Sequence, residues 1–246
     1  MTLLAGLDVG TTSVNGLLVA SRGPRALPRA VPRPAPAPVT RLPVLLCDLD
    51  GVLVDSTAAI DRVYRSWAAE HGLDASLVVA TAQGRPSREV VRVCAPWLDA
   101  AAQSAAIEAA HVGDQDGVVA IAGARELLSR TPPGRLAVVT SCSPALAAAR
   151  FAAAGLPAPR VCVTAEQVGR GKPDPEGYLR AAARLGADPA ECVVLEDAPA
   201  GIAAGLAAGM RVVAVLTSHP RGALAGAHAF VDDLTDVAAV AAVLVG

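Results

Sequence analysis

From residue 44 onward the chain alternates between two textures, and that alternation limits its fold more than any other feature. Short runs rich in Val, Leu and Cys recur at 44–47, 136–140, 161–163, 192–195 and 212–215. Each has the length of a strand, and none shows the polar alternation of a sheet with one wet face. Between them lie Ala-rich stretches at about 144–154, 175–185 and 199–208, closed by Gly155, Gly186 and Gly209. Ala and Leu favour helix, and a glycine past the last turn accepts the left-handed conformation that ends one. Strands buried on both faces and separated by helices predict an α/β fold, a Rossmann-like parallel sheet covered by helices on both faces.

One interval breaks the rhythm. Roughly ninety residues separate the first run from the second, several times what a crossover helix needs. Within it Ile60, Val63, Tyr64, Trp67 and Ala68 recur at helical spacing up to a stop at His71-Gly72, and Ala100–Ala110 is a second helical stretch. This predicts a helical cap over 58–123, inserted into a core made of 42–57 plus 124–246, with Tyr64 and Trp67 in the cap's own interior.

Ahead of the core, residues 22–41 hold six prolines and five arginines. Proline fixes φ and removes a backbone donor, so an extended linker is expected there, joining a short arm to the rest as one unit over 1–41. The formal net charge of −2 gives no global basic field for nucleic acid or an anionic membrane. No run approaches the ~20 apolar residues of a membrane span. The five cysteines, Cys47, Cys94, Cys142, Cys162 and Cys192, form no Cys-x-x-Cys pair. They read as small buried hydrophobes in a reducing, cytoplasmic setting.

In doubly wound sheets ligands bind beyond the carboxyl ends of the strands. Four polar groups fall at such ends. The first run leads into Asp48-Leu49-Asp50-Gly51, two carboxylates two residues apart and expected to point the same way. One carboxylate can attack phosphorus, and the second can protonate a leaving oxygen and then deprotonate water. The second run ends at Thr140-Ser141-Cys142-Ser143 before Pro144, where an N-cap serine and a first-turn proline mark a helix start suited to phosphate. Lys172, in Gly171-Lys172-Pro173, sits before a proline and so on extended backbone, placed to offset anionic charge. The fourth run delivers Glu196-Asp197, consecutive acids at a buried strand end that call for a cation; magnesium suits such hard oxygen donors.

In this order these elements resemble the four motifs of the haloacid dehalogenase superfamily. Its helical-cap sugar and sugar-alcohol phosphatases are also similar in Val138-Val-Thr-Ser, Gly155-Leu-Pro-Ala-Pro, Gly171-Lys-Pro-Asp-Pro-Glu-Gly-Tyr and Leu195-Glu-Asp-Ala-Pro-Ala-Gly. The resemblance implies a Mg2+-dependent phosphoric monoester hydrolase acting on a small phosphorylated metabolite, as a monomer or homodimer. It implies that Asp48 is nucleophile and metal ligand. Asp50 would be general acid/base and a ligand through its backbone carbonyl. Thr140, Ser141 and Lys172 would hold phosphoryl oxygens, and Asp197 with Glu196 would complete the metal site. Gln83-Gly84-Arg85-Pro86-Ser87-Arg88 is similar to the family's cap substrate loop, which makes Arg85 and then Arg88 the substrate-binding candidates.

Three alternatives share part of this pattern. A β-phosphoglucomutase-like phosphomutase has the same core motifs but carries a histidine where this chain has Ile60. A phosphoglycolate phosphatase fits the double-acid fourth motif less well, and a non-catalytic sugar-phosphate regulator would be expected to have lost a catalytic acid. Cys142 brings a thiol to the phosphate loop. Residues 3–20, with Gly6-Leu-Asp8-Val-Gly10-Thr11-Thr12-Ser13, resemble the first hairpin of FGGY-type carbohydrate kinases, without the rest of a kinase.

Overall fold

A computed structural model describes residues 43–82 and 85–245. The arm and linker expected over 1–41, and Gln83-Gly84 of the cap loop, lie outside the described residues. The strands are β1 (Val44–Cys47), β2 (Val54–Asp55), β3 (Val119–Ala120), β4 (Leu136–Val139), β5 (Cys162–Val163), β6 (Cys192–Glu196), β7 (Arg211–Val215) and β8 (Ala229–Val231). The α-helices are α1 (Thr57–Glu70), α2 (Ala75–Ala82), α3 (Ser87–Cys94), α4 (Ala100–Gly113), α5 (Ala124–Arg130), α6 (Pro144–Ala153), α7 (Glu176–Leu185), α8 (Pro199–Ala207) and α9 (Val237–Val245).

Six strands form one parallel sheet in the order β5-β4-β1-β6-β7-β8. The central strands β4, β1 and β6 bury both faces, so their side chains divide by parity. Val44 and Leu46 of β1 pack with Val194, Val212, Tyr178, Ala181 and Ile202 under α7 and α8. Leu45 and Cys47 pack on the opposite face with Val138, Leu195, Leu127, Leu146 and Phe151 under α5 and α6. The uninterrupted apolar runs thus follow from a sheet with no wet face. β8 is the sheet strand the sequence pattern missed. It is three residues long, half-buried and at the edge, and it lacks the apolar density of the others.

The chain leaves the sheet through β2 and returns through β3, which pair antiparallel. Between them α1 packs on α2 and α4, and α3 packs on α2 and α4. Tyr64, Trp67, Ala68, Val78, Val90, Val91 and Ile107 form a separate apolar cluster inside these four helices. Trp67 and His71 both donate toward Gln103 Oε1, at 2.8 and 3.0 Å, tying α1 to α4. Ser143 caps α6 by accepting from Leu146 N–H, with Pro144 in the first turn. Gly155, Gly186 and Gly209 all have positive φ just past their helices.

Candidate active site

The strand order reverses around β1, whose neighbours β4 and β6 carry the chain outward in opposite directions. The crevice at such a switch point opens where the carboxyl ends of the two diverging halves part. Asp48 follows β1, and its backbone N–H donates to Leu195 O at 3.0 Å, which locks the ends of β1 and β6 together. Thr140 follows β4 and Glu196 ends β6, so three residues distant in sequence meet at one edge.

Lys172 bridges two of them. Its Nζ lies 2.8 Å from Asp48 Oδ1 and 2.6 Å from Glu196 Oε1. Glu196 is fully buried, and both of its oxygens are satisfied. Oε1 also accepts from the Tyr178 hydroxyl at 2.8 Å, and Oε2 accepts from the backbone N–H groups of Asp197 and Ala198 at 3.1 and 3.2 Å. A buried carboxylate is tolerable only with such partners. The first turn of α8 must leave it room: a Cβ at Gly201 would overlap the Glu196 carboxylate. Gly51, at φ +81°, makes the matching approach from β1, since a Cβ there would strike Asp197 and Ser218.

Asp197 is buried beside this pair and hydrogen-bonded by the Ser218 side chain. Carboxylate oxygens of Asp48, Glu196 and Asp197 all lie within 4.8 Å of one another. That crowding sets the electrostatics. Burial, opposed by Lys172 and assisted by Glu196 and Asp50, pushes Asp48 up to about 7. Burial and then Glu196 raise Asp197 well above the ordinary carboxylate range. For Lys172 burial acts downward, but Asp48 and Glu196 more than offset it and hold the ammonium above its usual range. Three acids around one lysine leave an excess of negative charge, which a divalent cation would relieve.

Asp50 departs from its expected orientation. The two acids were expected to point the same way, but β1 ends at Cys47 and residue 49 already turns, so strand parity no longer applies. Asp50 faces the α6 side instead. Its Oδ1 accepts from Ser56 Oγ at 2.5 Å, its Oδ2 accepts from Cys142 Sγ at 2.9 Å, and Arg150 Nε lies 3.1 Å from Oδ1. Arg150 is completely buried, and its Nη1 donates to Gln115 Oε1 at 3.0 Å. Thr140 is buried, and its Oγ1 accepts from Cys142 N–H at 3.1 Å.

Asp48, Asp50, Thr140, Lys172, Glu196 and Asp197 thus gather at one edge, with Ser141 exposed in the same loop. Arg85 and Arg88 are not part of this cluster. Arg85, in the loop ahead of α3, lies 3.9 Å from Glu89 in the first turn of that helix, and Arg88 is exposed, with its charge acting on Asp99 at the start of α4. Sequence reasoning missed Ser56, Tyr178, Ser218 and Arg150. Arg150 had a usable signal, a charge on the apolar stripe Leu146, Ala147, Phe151. His219 approaches Asp197 O with Nδ1 at 2.9 Å.

A doubly wound sheet with a carboxylate and lysine cluster at its switch point and helices inserted after the first strand defines a class of hydrolases. Residues 42–209 match the haloacid dehalogenase-like hydrolase family, and the chain belongs to it. Hexitol phosphatase A of Escherichia coli is 46% identical over 175 residues, 69% of this chain and 81% of that protein. 2-Deoxyglucose-6-phosphate phosphatase 1 of Saccharomyces cerevisiae is 36% identical over 220 residues, 79% of this chain and 89% of that protein. Among solved structures, a HAD family hydrolase from Deinococcus radiodurans with bound phosphate and sodium superposes with a TM-score of 0.64. It is 33% identical, covering 82% of this chain and 97% of the other.

Proposed function

We propose that this chain is a magnesium-dependent phosphatase hydrolysing small sugar or sugar-alcohol phosphates through an aspartyl-phosphate. The observation that carries the proposal is Lys172 fixed between Asp48 and Glu196 at the switch point, with Asp197 beside them. The relatives named for hexitol and deoxyglucose-6-phosphate hydrolysis support the substrate class.

In this proposal Asp48 attacks phosphorus and the bond to the leaving oxygen breaks, with Asp50 giving that oxygen its proton. Asp50 then takes a proton from the water that cleaves the aspartyl-phosphate. Its carboxyl oxygens accept from Ser56 and Cys142, and Arg150 Nε lies 3.1 Å away, which fixes the group beside the phosphate loop. Thr140, Ser141 and Lys172 hold the phosphoryl oxygens. Asp48, Asp197 and the Asp50 backbone carbonyl would hold magnesium, with Glu196, whose oxygens are already engaged, orienting Lys172 behind them. The all-oxygen donor set fits that ion, which when bound lets an anionic nucleophile approach an anionic ester.

The helices over 58–123 serve here as the cap, above a core of 42–57 and 124–246. The described part of the chain has no helix long and apolar enough to cross a membrane. Phosphate release across sugar, polyol and short-acid phosphates, with and without magnesium, tests the proposal. Turnover unchanged by excess chelator would remove magnesium from it. A mutase is set apart by Ile60, half-buried among the apolar cap residues where that family carries a histidine.

A further inference from the structure

Glu108 is the carboxylate the mechanism leaves unused. It lies on α4, which packs against α6, and it reaches out of the inserted helices to the phosphate-loop side of the core. Its Oε1 accepts from Ser143 N–H at 3.2 Å. Ser143 closes the Thr140–Ser143 loop, one residue after the Cys142 that touches Asp50. Glu108 and Asp50 are also close enough for both charges to act on His111. Glu108 therefore reaches from the insert to the loop that carries Thr140, Ser141 and Cys142, on the side where Asp50 lies.

Two further facts define what this carboxylate can do. Its Oε2 accepts no hydrogen bond from any described residue, so this half-buried side chain keeps an unused acceptor. No cation among the described residues pairs with it, because Arg150 is committed to Asp50 and Gln115, and Lys172 to Asp48 and Glu196. Burial and the charge of Arg150 hold His111 below its usual range, so that ring adds no positive charge nearby. An acceptor-only group at this position takes a hydroxyl hydrogen well and repels a second anion.

We propose that Glu108 determines specificity, accepting a hydrogen bond from a hydroxyl of a neutral polyol or sugar leaving group and excluding leaving groups with a second anionic charge. This rests on the phosphatase proposal above and narrows its substrate class. The test compares wild type, Glu108→Gln and Glu108→Ala on sorbitol 6-phosphate, fructose 1,6-bisphosphate and 4-nitrophenyl phosphate. For Glu108→Ala, the ratio of kcat/KM on sorbitol 6-phosphate to that on the aryl ester should fall about tenfold, the effect of losing one hydrogen bond to a charged group. For Glu108→Gln, the ratio of bisphosphate to sorbitol 6-phosphate should rise about tenfold as the like charge is removed.

Ratios unchanged in both variants, or equal losses on all three esters, would overturn the assignment and leave Glu108 as a link between α4 and the loop. Wild-type turnover of the aryl ester with none on sorbitol 6-phosphate would overturn it while leaving the phosphatase proposal standing. No turnover of any ester would bring down the phosphatase proposal and this one with it.

Discussion

The carboxyl edge of the sheet and the four-helix insert deal with charge in opposite ways. At the sheet edge Asp48, Lys172, Glu196 and Asp197 are packed together out of water, each held by the others or by backbone groups. In the insert the interior is apolar, and the arginines with a claim on substrate, Arg85 and Arg88, stand at its exposed surface. Buried charges interact strongly and over-determine one another's positions, whereas exposed ones are screened and adaptable. The contrast suits a division of labour in which the core fixes one reaction and the insert varies what is brought to it.

The largest expected effect lies at the centre of the wired region. Asp48→Asn removes the proposed nucleophile, and kcat should fall by a factor on the order of 10⁴ or more, the scale of deleting a covalent catalyst. The variant should still melt cooperatively, because an amide can occupy the same position beside Lys172. Substantial turnover by a folded Asp48→Asn would end the assignment of this residue.

Next in size is Lys172→Met, which leaves Asp48 and Glu196 facing each other without a cation. Breaking a buried ionic cluster from one side costs about 3 kcal/mol of stability. Denaturant unfolding without metal should show that loss, alongside a fall in kcat/KM of roughly a hundredfold or more. If Lys172→Met unfolds like the wild type, the sheet edge is no more interdependent than the helical surface and the contrast fails.

How far each region could be read from sequence follows from the same physics. The strand-end acids, Thr140 and Lys172 were legible because a buried strand followed at once by polar residues has few bland explanations. The helix ends were legible through Gly186, Gly209 and the Ser143-Pro144 cap. The direction of Asp50 was not, since parity holds only inside a strand and β1 stops three residues earlier. The partners that fix Glu196 and Asp50, namely Tyr178, Ser56 and Arg150, come from distant segments that only the fold brings together. α2 and α3 carry eight residues each, two turns in which α2 buries Val78 and α3 buries Val90 and Val91, too short a stripe to stand out in the sequence.

A third effect concerns protons and metal together. Asp48, raised from an ordinary 3.8 to about 7, contributes stability that is complete at acidic pH and lost as the pH rises through about 7. Metal-free protein should therefore lose part of its stability between those values, in a differential scanning calorimetry series, and magnesium should restore it. The nucleophile acts ionised, so activity should rise with pH over the same range. Magnesium competes with the proton for Asp48, so above its dissociation constant each tenfold increase in magnesium should move this acid limb down by about one pH unit. An acid limb indifferent to magnesium would separate Asp48 from the metal site.

The smallest effect belongs to the insert. Arg85 is about half exposed and its nearest anion, Glu89, is 3.9 Å away, so Arg85→Ala should change stability by no more than about 0.5 kcal/mol. Its expected signature is selective, with KM for a sugar phosphate rising about threefold more than KM for an aryl phosphate, the scale of a solvent-exposed charge contact. Equal changes on both substrates would leave Arg85 as a surface residue of the loop ahead of α3. Substrate choice by the insert would then fall to Glu108, the one carboxylate of α4 that reaches the phosphate loop.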